Sequence, residues 1–177
     1  MTLMTIGYEG FTLDGFLGIL LENGVRTLVD IRENPISRKP GFSKTALSMA
    51  CERNGLRYIH LVSLGCPKEI RRAYREDGNW QLYTNRFLRY LATQKSSLME
   101  LAEIAVRDNY CLMCFETDFF HCHRSFVADW VAYYSGQPGA IKHLGKAATE
   151  RTAGPVLRGD RLDQQSTTLW GIGELFP

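Results

Sequence analysis

Residues 111–126 read Cys-Leu-Met-Cys-Phe-Glu-Thr-Asp-Phe-Phe-His-Cys-His-Arg-Ser-Phe and hold three of the chain's five cysteines and two of its four histidines. The apolar run up to Phe115 predicts a buried strand, and the helical pattern after Arg124 predicts a helix start. The junction between them collects polar and reactive side chains, namely Glu116, Asp118, His121, Cys122, His123 and Arg124. Open α/β sheets bind ligands where strands hand over to helices, so this stretch predicts a functional site.

The rest of the chain repeats the same alternation of strand and helix. Apolar segments at 2–6, 25–31, 58–62, 110–115 and 140–144 predict strands, and helical periodicity fills the intervals. We therefore expect a three-layer α/β fold, Rossmann-like, with a mainly parallel sheet of about five strands and helices on both faces. Residues 1–145 are expected to form this single domain. Residues 146–177 are expected to be an extended tail that docks on the body or on a partner. This tail would also be the route to an oligomer.

Composition adds an expectation about the compartment. The chain is 45% hydrophobic and 23% charged with a net charge of +2, which is ordinary for a soluble globular protein and too small to indicate nucleic acid by itself. The N-terminus shows no signal peptide, and no apolar run reaches the roughly 18 residues of a bilayer span. A cytoplasmic protein with no membrane partner is expected, and an odd number of cysteines in a reducing compartment argues against a disulfide framework.

Several candidate site residues come directly after predicted strands. Because the carboxyl ends of parallel strands share one edge, side chains far apart in sequence should meet there. Asp30 and Glu116 are candidate acid–base groups, and Cys122 or His123 is a candidate nucleophile or proton carrier. The predicted substrate-binding residues are Gly7, Tyr8, Arg32, Ser37, Arg38 and Arg124.

A metal site is a conditional alternative at the same junction. Cys111 and Cys114 have a zinc-like spacing, but residues three apart on a strand point to opposite faces, so Cys111 is better interpreted as a core thiol. Cys114, Cys122 and His123, with Glu116 as a fourth candidate, remain as a reduced ligand set for zinc. The sequence itself requires no cofactor.

The junction also allows two interpretations without metal. Cys122 and His123 lie at a helix N-terminus, where the helix dipole and Arg124 would lower the pKa of a thiol or bind a phosphate or carboxylate. The structural alternative is that Cys122 packs, His123 caps the helix and Arg124 pairs with Asp30 or Glu116.

Basic residues cluster in two further segments. Arg38, Lys39 and Lys44 follow the second strand, Lys68, Arg71, Arg72 and Arg75 follow the third, and Tyr8, Phe42 and Tyr74 are interleaved with them. This combination suits a phosphate-bearing or nucleotide-like ligand, including nucleic acid, although such runs also form solvated faces. The spacing Cys66-x5-Arg72 resembles that of cysteine phosphatases, but Pro67, Glu69 and Ile70 replace an anion-binding loop, so we reject that interpretation.

Several short motifs follow one another along the chain. They are Thr5-Ile-Gly-Tyr-Glu-Gly10, Leu28-Val-Asp-Ile-Arg32, Pro35-x-Ser37, Pro40-Gly-Phe42, Tyr58-x-His60-Leu61, Leu64-Gly65 and Cys114-x-Glu116 with Cys122-His-Arg124. In this order they resemble the bacterial domain-of-unknown-function family 488 over residues 3 to about 145. The resemblance implies an α/β three-layer fold and an unassigned active site on these motifs, but no reaction. Leu28 to Glu33 also resembles rhodanese domains, yet Cys114 lacks the glycine-containing loop that carries their sulfur.

The sequence therefore favours an enzyme, a hydrolase or group transferase, that acts on a phosphate-containing, nucleotide-like or nucleic-acid substrate. Arg32 and Arg124 would hold the anion. The alternative is a non-catalytic module that binds a ligand or metal in the same crevice, and rhodanese-like sulfur transfer is a third, weaker alternative.

Overall fold

The computed structural model of the protein describes residues 3–136, 140–145 and 149–152. The strands are β1 (Leu3–Gly7), β2 (Thr27–Asp30), β3 (Arg57–His60), β4 (Tyr110–Cys114), β5 (Ala140–Leu144) and β6 (Thr149–Thr152). The helices are α1 (Leu13–Glu22), α2 (Lys44–Arg53), α3 (Lys68–Asp77), α4 (Trp80–Ala92), α5 (Lys95–Arg107) and α6 (Arg124–Tyr134), with a short 3-10 helix at Val62–Leu64.

The strands form one sheet in the order β3-β2-β4-β1-β5-β6, in which the first five are parallel. This confirms the predicted α/β fold. Strand β6 pairs antiparallel with β5 and lies where the sequence predicted the start of an extended tail. Four residues separate the two strands, too few for a parallel crossover, so the added strand runs antiparallel. The predicted tail beyond residue 152, with its proposed docking role, lies outside the described residues.

Alternating side chains of the central strands supply two cores, one on each face of the sheet. On β4, Leu112 faces the core that contains residues of α4, α5 and α6, whereas Cys111 and Met113 face the core that contains residues of α1 and α2. Val29 and Leu28 of β2 divide in the same way. Because both faces are covered, the central strands are buried on both sides and rich in apolar residues, as is usual in parallel sheets.

Local signals set most of the helix boundaries. Thr12 caps α1, since its hydroxyl accepts a hydrogen bond from the Gly15 amide at 3.2 Å. Helix α4 ends at Ala92, and α5 begins at Lys95. Ser97 lies within the helix, and its hydroxyl accepts a hydrogen bond from Ser63 at 2.9 Å. Within the described part of the chain, no helix has the length and apolarity needed to cross a bilayer.

Candidate active site

Strand β4 lies between β1 and β2, and the register brings their carboxyl ends to one edge. Gly7 pairs with Cys114, and Asp30 pairs with Met113. The chain leaves β1 toward α1 on one face of the sheet and leaves β4 toward α6 on the other. Neighbouring strands whose connections diverge in this way open a crevice at their carboxyl ends. The predicted convergence of distant turns at one edge is therefore present.

A cavity of about 630 Å³ occupies this edge of the sheet. Its inner wall consists of residues from the strand ends and the β4–α6 loop: Tyr8, Arg32, Cys114, Glu116 and His123. Its outer rim consists of cationic and aromatic side chains from the β2–α2 loop, α3 and the start of α4: Arg38, Lys39, Arg71, Tyr74, Arg75 and Trp80. A cavity of this size accommodates a small organic ligand.

Asp30 is fully buried and is bound to Arg32 through three hydrogen bonds. Its carboxylate accepts from the Arg32 backbone amide at 3.0 Å, from Nε at 2.9 Å and from Nη2 at 2.6 Å, and a fourth hydrogen bond comes from the Tyr58 hydroxyl at 2.6 Å. Asp30 does not line the cavity, and its carboxylate oxygens already accept these hydrogen bonds, so it is poorly placed to exchange protons with a substrate. In this position the Asp30 carboxylate fixes the direction of the Arg32 side chain, and its catalytic role stays a prediction.

Arg32 borders the cavity and organises the residues around it. Its Nη1 donates to the Tyr8 hydroxyl at 3.1 Å and to the Phe42 carbonyl at 2.8 Å. Tyr8 stacks on Phe42 with ring centroids 4.5 Å apart and donates to the Ser37 hydroxyl at 3.3 Å. The predicted substrate-binding residues Tyr8, Arg32 and Ser37 therefore form one connected group on the cavity lining, and Arg38 lines it nearby.

Gly7 ends β1 in close contact with the β4–α6 loop. A Cβ atom at this position would lie 1.7 Å from the carbonyl oxygen of Glu116. The absence of a side chain thus admits the backbone of this loop beside the end of β1. The substrate-binding role of Gly7 stays a prediction.

Arg124 is 1% exposed, and its guanidinium is occupied by the protein. Nη1 donates to the Glu116 carbonyl at 2.5 Å, Nη2 to the Thr117 carbonyl at 2.9 Å and Nε to the Thr5 hydroxyl at 3.3 Å. These bonds tie the β4–α6 loop to the start of α6, and the side chain is absent from the cavity lining. The donors of Arg124 thus have backbone and hydroxyl acceptors within the protein, and its role in holding a substrate anion stays a prediction.

Cys114, Glu116, Cys122 and His123 point their polar atoms at one another. The two sulfurs lie 3.1 Å apart, and His123 Nδ1 lies 3.7 Å from Cys114 Sγ and 3.9 Å from Cys122 Sγ. The Glu116 carboxylate is 2.5 Å from Cys114 Sγ and 3.2 Å from Cys122 Sγ. Cys111 is absent from this group and is a fully buried core thiol, as predicted. We refer to the four residues as the Cys-His-Glu cluster.

The protonation states of the cluster depend on one another. Burial, the hydrogen bond with Cys122 and the charge of Cys122 raise the pKa of the Cys114 thiol well above its ordinary value. Burial disfavours a Cys122 thiolate, but the hydrogen bond with Cys114 and the positive charges of Arg124 and His123 lower the pKa of Cys122. Burial opposes a charged His123, yet the interaction with Cys122 raises its pKa. Without a metal, the negative charge of Cys122 and the positive charge of His123 thus stabilise each other.

Glu116 differs from the thiols in its access to the cavity. Burial and the negative charge of Cys122 raise the pKa of its carboxyl group above the ordinary value. It is half-buried and lines the cavity, so a bound substrate can reach it. A cavity-facing carboxyl group with a raised pKa is suited to exchange protons with a bound substrate.

Sequence reasoning did not identify several lining residues as part of the site. Trp80, Tyr83, Phe115 and Cys66 all border the cavity. A partial signal existed, because Arg71, Tyr74 and Arg75 lie three or four positions apart and therefore share one face of α3. Trp80 follows that helix after a glycine turn and packs edge-on against Tyr74, with ring centroids 5.7 Å apart. Only the packing of α3 against α4 shows that both helices face the crevice.

Cys66 and Arg72, whose spacing resembles that of cysteine phosphatases, do not form a site in the folded protein. Burial raises the pKa of Cys66 to about 12, so this thiol is protonated at neutral pH. Arg72 is exposed, pairs with Glu76 at 2.9 Å and does not line the cavity. The two residues therefore do not form an anion-binding loop.

Fold and site together define an α/β protein with a ligand-sized cavity at the carboxyl edge of a parallel sheet. The family described as Domain of unknown function DUF488 matches residues 12–131, and the chain belongs to this family. The match includes Arg32 and the whole Cys-His-Glu cluster, whereas Gly7 and Tyr8 precede it. No curated protein and no solved structure matches the chain.

Proposed function

We propose that the protein is an enzyme that acts on a phosphate-bearing, nucleotide-like substrate by hydrolysis or group transfer. The observation that carries this proposal is the composition of one cavity. Cationic and aromatic side chains form its outer rim, and a buried group of thiol, imidazole and carboxyl side chains forms part of its inner wall. The first set suits recognition of a substrate, and the second suits chemistry on it.

The outer rim supports an anionic ligand with an aromatic part. Arg38 and Arg75 are exposed, and Arg71 pairs with Glu33 while still bordering the cavity. Guanidinium groups donate paired hydrogen bonds to phosphate oxygens. Trp80 is half-buried and stacks on Tyr83 with ring centroids 4.8 Å apart, which holds its indole ring at the cavity. Aromatic rings held in this way stack on nucleobases.

The inner wall supports catalysis. Glu116 is placed to act as the general acid or base, because its carboxyl group lines the cavity and has a raised pKa. His123 and Cys114 also border the cavity, and Cys122 lies directly behind them within 3.1 Å of Cys114. Asp30 and Arg32 position Tyr8 at the same wall. The five free cysteines support the cytoplasmic location expected from the sequence.

A ligand panel tests the binding half of the proposal. Thermal unfolding is recorded with AMP, ADP, ATP, ribose 5-phosphate, inorganic phosphate and a short single-stranded oligonucleotide. We expect nucleotides to raise the unfolding temperature more than inorganic phosphate, because they engage both cations and rings. The oligonucleotide distinguishes a free nucleotide from a nucleic-acid substrate. If no phosphate-bearing compound shifts the transition, the proposed substrate class is wrong.

Turnover tests the catalytic half. The compound that binds is incubated with the wild-type chain, with Glu116→Gln and with the control Glu100→Gln on the exposed face of α5. We expect product from the wild-type chain and from Glu100→Gln, and a loss of roughly 100-fold or more in Glu116→Gln. Binding that survives Glu116→Gln, with no product from any of the three proteins, would instead identify a non-catalytic binding module.

A further inference from the structure

We infer that Cys114, Cys122, His123 and Glu116 form a binding site for one zinc ion at the inner wall of the cavity. Each residue offers one ligand atom, and the four atoms all lie within 4.8 Å of one another. The inference depends on the arrangement of these atoms and not on the identity of the substrate. It shares Glu116 with the proposed function, but metal content is measured without any substrate, so the failure of one proposal is distinguishable from the failure of the other.

The interatomic distances suit a tetrahedral site. Around zinc, with bonds of about 2.3 Å to sulfur and 2.0–2.1 Å to nitrogen, two sulfurs lie about 3.7 Å apart and a sulfur and a nitrogen about 3.6 Å. His123 Nδ1 lies 3.7 and 3.9 Å from the two sulfurs, close to that value. The two sulfurs lie 3.1 Å apart, and the Glu116 oxygen lies 2.5 and 3.2 Å from them. To surround a zinc ion, these three atoms need to move apart by about 1 Å or less.

The imidazole of His123 is oriented for metal binding. Its Nε2 lies 3.2 Å from the carbonyl oxygen of Ile31, which can only accept a hydrogen bond, so Nε2 carries the hydrogen. This directs Nδ1 toward the sulfurs. Phe87 packs against the same ring at nearly a right angle, with centroids 5.5 Å apart. A histidine whose second nitrogen is held by a carbonyl is the usual arrangement in metal sites, because it fixes both tautomer and ring direction.

Rigid elements hold the other ligands. Cys114 ends the buried strand β4, and Glu116 follows two positions later, so both side chains leave the same face of the extended chain. Arg124 holds the Glu116 backbone through a hydrogen bond to its carbonyl oxygen, and Gly7 leaves room for that backbone. Cys122 and His123 directly precede α6. Ligands held by the fold before the ion binds lose little conformational entropy when it does.

The charges of the site are also compatible with a buried ion. Two thiolates and one carboxylate carry one negative charge more than zinc neutralises. The buried guanidinium of Arg124 interacts electrostatically with both Cys114 and Cys122 and supplies the missing positive charge. A buried charge without such compensation would be strongly unfavourable.

The chemistry of the ligands selects zinc over the common hard cations. Thiolate and imidazole are soft or borderline ligands, whereas magnesium and calcium require oxygen ligands. Cys114, Glu116 and His123 all border the cavity, and Glu116 is the least buried of the four ligands, so it is the position at which water or substrate can enter the coordination sphere. A zinc ion here would polarise a substrate group or bound water at the inner wall.

Metal analysis of the full chain, purified without added ions, tests the site. We expect one equivalent of zinc per chain. After removal with a chelator, added Co²⁺ should give the intense visible bands of tetrahedral cobalt and a sulfur-to-cobalt charge-transfer band. Cys114→Ala and His123→Ala should weaken zinc binding by more than about 100-fold, and Glu116→Gln by roughly tenfold, since changes even beyond the direct ligands cost 10–100-fold.

Cys111→Ala is the matched control, because it removes the other cysteine of the Cys-x-x-Cys motif from a neighbouring core position. It should retain one equivalent of zinc. The cobalt spectrum of the wild-type chain needs no variant, so the test stands even if a substitution prevents folding. Folded wild-type protein that holds no zinc and gives no tetrahedral cobalt spectrum would overturn the site, as would one equivalent of a different metal. An intact mass showing a Cys114–Cys122 disulfide as the stable form would also overturn it.

Discussion

The inner wall and the outer rim of the cavity both use arginine, but in opposite physical states. Arg32, on the inner wall, and Arg124, directly behind it, are 6% and 1% exposed, and their nitrogens donate to carboxylate, hydroxyl and carbonyl groups of the protein. Arg38 and Arg75, on the outer rim, are exposed. The buried guanidiniums stabilise the shape of the site, whereas the exposed ones are available to a ligand. Substitutions in the two regions should therefore affect different measurements.

The largest expected effect is loss of stability when the inner wall loses a buried partner. Asp30→Ala leaves Arg32 as a buried charge without its carboxylate, which should lower the free energy of unfolding by about 3–5 kcal/mol. Glu76→Ala is the control, because it breaks an ion pair with Arg72 whose side chains are 63% and 74% exposed, and should cost less than about 1 kcal/mol. Urea denaturation measures both. Equal losses would show that the inner wall is no more dependent on its ion pair than the surface is.

The second prediction concerns the close contact behind the inner wall. Gly7→Ala places a methyl group 1.7 Å from the Glu116 carbonyl, so the β4–α6 loop must move and stability should fall by about 1–3 kcal/mol. Gly18→Ala, inside α1, adds a methyl group that meets no atom within 4 Å apart from its chain neighbours and its own helix backbone, and should instead stabilise the protein by roughly 0.5–1 kcal/mol. Thermal denaturation compares the pair. A Gly7→Ala protein as stable as the wild type would show that the loop is not held at this distance.

The outer rim should show the reverse pattern. Arg38→Ala with Arg75→Ala should change the free energy of unfolding by less than about 0.5 kcal/mol, because both side chains are exposed. The dissociation constant for the best nucleotide should rise by roughly tenfold and depend less on salt, since two cations near the phosphate are lost. Arg72→Ala is the control, because Arg72 lies on α3 with Arg75 but does not line the cavity. Unchanged affinity in the double variant would remove the outer rim from the binding site.

The smallest expected effect is a pH dependence of the inner wall in protein stripped of metal. Burial and the charge of Cys122 raise the pKa of Glu116, so the folded protein holds this proton more tightly than the unfolded chain. Its stabilising contribution is complete below the pKa of the unfolded chain and is lost as pH rises through the raised pKa. The wild-type chain should thus lose stability relative to Glu116→Gln as pH rises from 4 to 8. A constant difference across that range would contradict the assignment.

The sequence predicted those parts of the site that depend on local spacing. Cys114 and Glu116 share a face because they lie two positions apart on an extended segment, and Cys122 and His123 lie together because they are adjacent at a helix start. The exclusion of Cys111 followed from the same alternation and is confirmed by its burial in the core. The edge strand Thr149–Thr152 was missed because its few residues carry no strand pattern strong enough to distinguish them from a tail.

The contacts of Asp30, Gly7 and Arg124 could not be predicted in the same way. A charge after a strand is equally compatible with binding a substrate and with binding the protein. Arg124 meets the carbonyls of Glu116 and Thr117 only because the loop folds back over Gly7. Likewise, Trp80 reaches the cavity through the packing of α3 and α4, which involves residues far apart in sequence.

The amino-acid sequence alone determined the alternation of strands and helices, the family and the presence of thiol, imidazole and carboxyl groups around one strand end. These features follow from periodicity and short spacings, which persist whatever the rest of the chain does. The tertiary structure alone decided which charges are buried and partnered and which face the cavity. Burial depends on contacts between segments that are far apart in the sequence. An arginine surrounded by backbone carbonyls therefore has a structural role, whereas an arginine exposed to solvent is a candidate for ligand binding.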